Sequence, residues 1–223
     1  GYIPYMGEWI MGQEVPWHYL PVWLMITIPL TYQILFVVGG ASIVRLSLTK
    51  RLGLITDERR EEVIFLLLFS TPILALIGIG STLYNDWRQF YFLYIPFLLV
   101  VLYAIKLLWG RYVNPETGML VKRGLLGFLV LAGVYQAFLG YWMIANHPHQ
   151  NVFRTTPMVE LFGGRGNFDH DSSRSVSRQG FEYVLSIDDS DPLPICLING
   201  TISFGMPILP QADIERIEVV DCE

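Results

Sequence analysis

Charge is what this 223-residue sequence has least of: 16% of its residues are Asp, Glu, Lys or Arg, against 52% that are hydrophobic. With a mean hydropathy of +0.43, that shortage excludes an ordinary soluble domain and puts the chain among membrane proteins. Also missing are a nucleophile elbow, a phosphate-binding glycine loop and a Gly-rich dinucleotide turn, so nothing supports cytosolic ATP-driven or redox chemistry. No Cys/His group has zinc-ligand spacing, no cofactor is evident, and no internal repeat is present. Cysteine is scarce as well. Cys196 and Cys222 are the only two, and their spacing leaves a disulfide and two separate thiols both open.

Long apolar runs are abundant. A bilayer core takes about 20 helical residues, and residues 20–44, 63–83, 90–109 and 124–145 are long enough. Lys106, near the end of its run, is the only charge within them and can extend its amine to the interface. Pro29, Pro72 and Pro96 fall inside these runs and predict kinks. Gly39-Gly40, Gly78, Gly80 and Gly133 predict close helix approach. The fold class expected is an α-helical polytopic membrane protein with four transmembrane helices and a small C-terminal extracytoplasmic domain, α+β or β. Its membrane domain is 1–145 and its tail 146–223.

Short loops rich in Lys and Arg stay on the cytoplasmic side. The loop after the first run holds Arg45, Lys50, Arg51, Arg59 and Arg60, and the loop after the third holds Lys106, Arg111, Lys122 and Arg123. The other side offers Arg88 alone before the tail. Both ends are therefore expected to face outward. The tail from Asn146 has 12 acidic and 5 basic residues, net −7, while the remainder carries +2. So acidic a tail argues against nucleic acid as a partner. The chain opens on Gly1 without a signal-peptide pattern, and the expectation is the C-terminal part of a longer polytopic protein. Within the tail, 181–187, 194–203 and 214–220 are short, rich in Ile, Val, Tyr and Phe, and bounded by Asp, Pro and Gly, the pattern of strands.

Aromatic, proline-bracketed stretches mark the outward ends of the runs: Pro16-Trp17-His18-Tyr19, Tyr84 through Tyr91 with Asp86-Trp87-Arg88, and His147-Pro148-His149-Gln150. Arg88 offers a planar fork of donors suited to a phosphate or diphosphate. Trp87 suits a headgroup, a sugar or a prenyl unit. The plainer reading is an interfacial aromatic belt with an arginine reaching lipid headgroups, and physics alone favours it. His18 can donate, accept or carry a proton, although a lone histidine beside a membrane is more often structural. His147 and His149 are separated by a proline with no third ligand evident, so a metal site is not expected. Asp169-His170-Asp171 and Asp188-Asp189-Ser190-Asp191 read best as solvated turns. Asn199-Gly200-Thr201 fits a glycosylation sequon.

Together the three stretches resemble a known group. Pro16 through Trp23, with Thr27 and Pro29 following, is similar to a segment of bacterial membrane glycosyltransferases of the protein O-mannosyltransferase-like (glycosyltransferase family 39-like) superfamily. These are multi-pass GT-C enzymes that use polyprenyl-phosphate sugars. Tyr84 through Tyr91 resembles the group's Tyr-Asp-Asn-Trp-Arg-His-Phe, and Asn146 through Phe153 resembles its His-Pro-Tyr-Gln-Tyr-Val-Tyr-Phe-Asn. The likeness covers residues 11 to 171. It departs at Gln89, where the group has His, at the order Asn85-Asp86, at His149 and at Phe153-Arg154-Thr155.

The resemblance implies a lipid-linked sugar phosphate entering from the outer leaflet and an acceptor hydroxyl activated by a carboxylate acting as general base. That carboxylate is expected in an N-terminal half outside these residues, so this part alone is expected to be inactive. A cation stabilises the departing phosphate. Arg88 is implied for that role, with Trp87, Asp86, His18, Tyr19, His147 and Gln150 in the substrate-contacting stretches. The tail would cover the acceptor groove. The partners implied are the lipid-linked sugar, membrane lipids and the N-terminal half, in a bacterial inner (plasma) membrane. A divalent metal has no support in the residues. The alternative is a non-catalytic membrane assembly or scaffold subunit with an outward partner-binding domain. A transporter ranks third, because no charge lies deep in any run.

Overall fold

A proline decides how the chain enters its helical bundle. In the computed structural model, which describes residues 2–49, 60–80, 88–147, 150, 153–168, 176–196, 206–207 and 209–220, the first apolar run is two helices, not one. Helix α1 covers Tyr19–Thr27 and α2 covers Leu30–Thr49. Ile28 between them is extended, at φ −84° and ψ 133°, because a residue preceding proline is pushed out of the helical region. The expected span from residue 20 is thus corrected to one starting at residue 30. Pro29 separates helices instead of kinking one.

Four helices among the described residues are long and apolar enough to cross a membrane: Leu30–Leu48, Glu61–Ile79, Gln89–Val113 and Met119–Ala145. They correspond to α2, to α3 (Arg60–Ile79), to a short 3-10 helix (Arg88–Leu93) running into α4 (Tyr94–Val113), and to α5 (Met119–Ala145). Pro72 lies inside α3. Pro96 falls in the first turn of α4, where a missing N–H leaves no bond unmade.

Helix α4 packs against both α2 and α3. Phe36, Phe69 and Phe97 interlock there, with ring centroids 4.7 to 5.8 Å apart. Gly39 lets α2 and α4 close up, since a Cβ built on it would stand 2.5 Å from the Val100 carbonyl oxygen. Gly78 and Gly133, also expected at close approaches, face open space, and Gly80 has a positive φ of 64° at the end of α3. Gln136 on α5 donates to Thr31 Oγ1 on α2 at 2.5 Å.

The N-terminal residues form a hairpin. Strands β1 (Tyr2–Tyr5) and β2 (Glu8–Met11) pair antiparallel, Tyr5 opposite Glu8. Met6 and Gly7 both have positive φ, 52° and 85°, the two-residue turn whose twist suits a hairpin. Helix α6 (Thr156–Leu161) and a 3-10 turn (Arg165–Asn167) follow α5. The chain divides into two compact units. One is Gly1–Trp142 with Arg154–Asp169, and the other Met143–Phe153 with His170–Glu223. Residues 154–168 therefore group with α1 and the hairpin.

The second unit corrects the strand expected at 181–187. Residues 181–187 belong to helix α7 (Val176–Ile187). Phe181 and Leu185, one turn apart, are buried beside Leu193 and Leu209, a helical spacing and not a strand's. Strand β3 (Leu193–Cys196) pairs in parallel with β4 (Ile217–Val220), Leu193 opposite Ile217, and α8 (Gln211–Arg216) runs into β4. Cys196 is disulfide-bonded, and the sequence holds one other cysteine, Cys222. Asp188-Asp189-Ser190-Asp191 is a turn, in which Asp188 Oδ1 accepts from the Ser190 N–H (2.9 Å) and hydroxyl (2.5 Å). These bonds hold the Asp188 carboxyl below its usual range. Residues 84–87, 148–149, 169–171, 199–201 and Cys222, all singled out in the sequence, lie outside the described residues.

Candidate functional site

The features that could do chemistry in the first unit gather where the hairpin, α1 and α6 meet. Tyr19, Leu20, Val22, Trp23 and Ile26 of α1 are buried. At nine residues the helix is too short to cross a membrane. It is instead the core around which the hairpin and α6 fold. Tyr5 lies between His18, stacked at 5.7 Å and 30°, and Phe168, edge-on at 5.9 Å. Phe168 continues edge-on to Trp23 at 5.7 Å. The Gly7 N–H donates to the Asn167 carbonyl at 3.1 Å, fastening the hairpin turn to the 3-10 turn.

His18 sits at the start of α1, where its carbonyl accepts from the Val22 N–H at 2.9 Å. Its Nδ1 lies 2.7 Å from the Tyr5 hydroxyl. Burial first, then the neighbouring Tyr19, pushes the Tyr5 phenol up from its ordinary value, so it keeps its proton. Which of the two donates in that contact follows the tautomer of the imidazole. Trp17 packs edge-on to His18 at 5.4 Å and 88°, with its indole largely exposed. His18 is thus a half-buried imidazole with one nitrogen engaged, beside an exposed aromatic plate.

The break between α1 and α2 frees carbonyls that two distant residues serve. Gln33 Nε2 donates to the Met25 and Ile28 carbonyls, each at 2.6 Å. The Thr155 N–H donates to the Ile26 carbonyl at 2.6 Å and its hydroxyl to the Ile28 carbonyl at 2.7 Å. Beside the break opens an apolar cleft of about 310 Å³, lined by Leu24, Ile28, Gln33, Phe36, Phe69 and Phe97 among others. A smaller one of about 80 Å³ separates Pro16, Trp17 and Leu20 from Ile77 and Gly80 at the end of α3.

His18 thus joins Tyr5. Tyr19 is fully buried among Tyr5 and Trp23, which leaves it a wall of the cluster. His147 and Gln150 meet in the second unit: Gln150 Nε2 lies 2.8 Å from His147 Nδ1 and donates to the Met143 carbonyl near the end of α5 at 3.1 Å. Arg88 starts the 3-10 helix before α4, with its backbone alone described, and Asp86 and Trp87 lie outside the described residues.

Sequence reasoning missed Tyr5, Phe168, Arg154 and Thr155. Arg154 is 5% exposed, its guanidinium 5.2 Å from the centre of the Trp23 ring, a cation–π placement. The one signal was a cation and a hydroxyl four and five residues past Gln150, where the resembled group has an aromatic and an amide. Among the described residues no three His, Cys, Asp or Glu side chains converge as metal ligands. Compared with protein-family models, curated proteins and solved structures, the chain matches none.

Proposed function

We propose that this chain is the C-terminal part of an integral-membrane glycosyltransferase that moves a sugar from a polyprenyl-phosphate donor to an acceptor on the extracytoplasmic side. The observation that carries the reading is the aromatic-lined cleft at the α1–α2 break. It is apolar, about 310 Å³, and bounded by three interlocked phenylalanines, a fit for a prenyl chain. It adjoins the helix that begins at His18, within the first of the three stretches that carry the resemblance. His18, its Nδ1 engaged by Tyr5, leaves Nε2 for a polar group of the sugar phosphate.

On this reading Arg88 meets the donor phosphate and stabilises charge as the sugar–phosphate bond breaks. The general base that deprotonates the acceptor lies outside these residues, in the N-terminal half of the protein. The setting is a bacterial inner membrane, with the hairpin, α1 and the tail outside.

The test is sugar transfer by the full-length protein in membranes supplied with radiolabelled polyprenyl-phosphate sugars. Arg88→Ala should lower transfer by about 100-fold or more, the usual scale for a lost charge-stabilising group, with expression and insertion unchanged. Transfer unaffected by the substitution would return Arg88 to the aromatic belt. A wild type that transfers none of the sugars would favour the scaffold subunit.

A further inference from the structure

A wide cavity in the first unit lies at the other end of the bundle from His18 and the hairpin. It measures about 920 Å³ and is enclosed by the C-terminal ends of α2 and α4 and the start of α5. Two kinds of side chain face it. Val38, Leu107, Leu108 and Leu125 make apolar walls, while Arg45, Lys106 and Arg111 supply three cations. Among the described residues that line it, none is acidic.

From this we infer that the cavity binds the phosphate headgroup of an anionic phospholipid, with part of an acyl chain against its leucine and valine walls. Each element of the inference has a physical reason. Lys106 and Arg111 are five residues apart on α4, which sets them about 7.5 Å apart along the helix axis. Lys106 therefore lies deeper in the bundle and Arg111 nearer its end. Both side chains line the cavity, so one headgroup with its glycerol can meet the two cations of α4. A free phosphate ion would gain the same cations but leave the apolar walls wet. A lipid satisfies both, because its chain covers the walls that its headgroup cannot. Basic pockets between helices on the cytoplasmic face are where anionic headgroups collect. The basic loops put this end of the bundle on that face. The inference does not depend on the donor reading, which concerns the opposite end.

Native mass spectrometry of the detergent-solubilised protein decides it. The protein is equilibrated with mixed micelles holding equal phosphatidylglycerol and phosphatidylcholine, then freed of detergent in the gas phase. The wild type should keep one phosphatidylglycerol and shed phosphatidylcholine. Each basic residue near a headgroup is worth about fivefold in binding. Lys106→Gln/Arg111→Gln should therefore weaken retention by about 25-fold, while Lys106→Arg/Arg111→Lys, which keeps both charges, retains the lipid. The second variant separates lost charge from lost folding, and far-UV circular dichroism of both checks the helices. Equal retention by the Gln variant, or retention of phosphatidylcholine as strong as that of phosphatidylglycerol, overturns the assignment. So does displacement of the lipid from the wild type by millimolar inorganic phosphate, which would make this a site for the free ion.

Discussion

Thr155 supplies two of the four hydrogen bonds that cover the carbonyls at the α1–α2 break, and Gln33 supplies the others. It is 1% exposed, so water cannot replace what it donates. Thr155→Val keeps the shape, removes the hydroxyl bond to Ile28 and leaves that buried carbonyl with Gln33 alone. The expected loss is about 1–2 kcal/mol, read as a lower midpoint in a thermal or SDS unfolding titration of the solubilised protein. Thr155→Ser, which keeps the donor, should recover most of it. A valine variant as stable as wild type would mean that Gln33 suffices. No local pattern could have exposed this role, because Thr155 and Ile28 are 127 positions apart. The same holds for Arg154 over Trp23. His18, by contrast, was legible, since an imidazole between Trp and Tyr at a helix start is unusual in the sequence itself. Its partner Tyr5 was not, because a hairpin 13 residues away in sequence delivers it.

At the scale of elements, what could be read was whatever depends on length and apolar composition. The four long helices follow from that, with α3, α4 and α5 near their expected bounds. The first run failed because a 25-residue stretch with an internal proline permits both a kinked helix and two helices, and the break at Pro29 is held by Gln33 and Thr155, which cover the freed carbonyls. Helix α7 failed because Phe181, Tyr183 and Val184 carry strand propensity, while the spacing of Phe181, Val184 and Leu185 carries the helical stripe that buries against β3. The hairpin's signal was there, with Ile3 and Tyr5 alternating inward ahead of Met6-Gly7. Glycine was the least legible. Composition marked five glycines for helix contact, and Gly39 alone among them has a backbone atom where its Cβ would stand. In lipid, helices associate through close packing more than through hydrophobic burial, so that contact matters. Gly39→Leu should force α2 from α4 and cost about 1–3 kcal/mol, whereas Gly133→Leu, facing open space, should stay within about 0.5 kcal/mol of wild type. Unfolding midpoints of the two variants measured side by side check this, and equal midpoints would mean the α2–α4 approach is looser than drawn.

For the molecule as a whole, two features bear on how it sits in a bilayer. Helices α3 and α5 have few fully buried residues, 0% and 6% of their apolar stretches, which leaves apolar surface suited to lipid. Three basic residues gather at one end of the bundle, where the ends of α2 and α4 and the start of α5 meet around Arg45, Lys106 and Arg111. Trp17 packs toward Ile77 and Gly80 at the opposite end. The proposed orientation sets the first end inside and the second outside, and it can be tested without knowing the reaction. Single cysteines placed at Glu116, exposed in the turn between α4 and α5, and at Trp9, 70% exposed on the hairpin, should differ in intact cells. A membrane-impermeant maleimide should label Trp9→Cys and reach Glu116→Cys only after the membrane is opened. Cys196, being disulfide-bonded, does not compete for the reagent. Labelling in the reverse order would put His18 and the aromatic cleft beside the cytoplasm. The donor would then have to approach from the inner leaflet, and the extracytoplasmic transferase reading would fall, whatever the fit of the cleft to a prenyl chain.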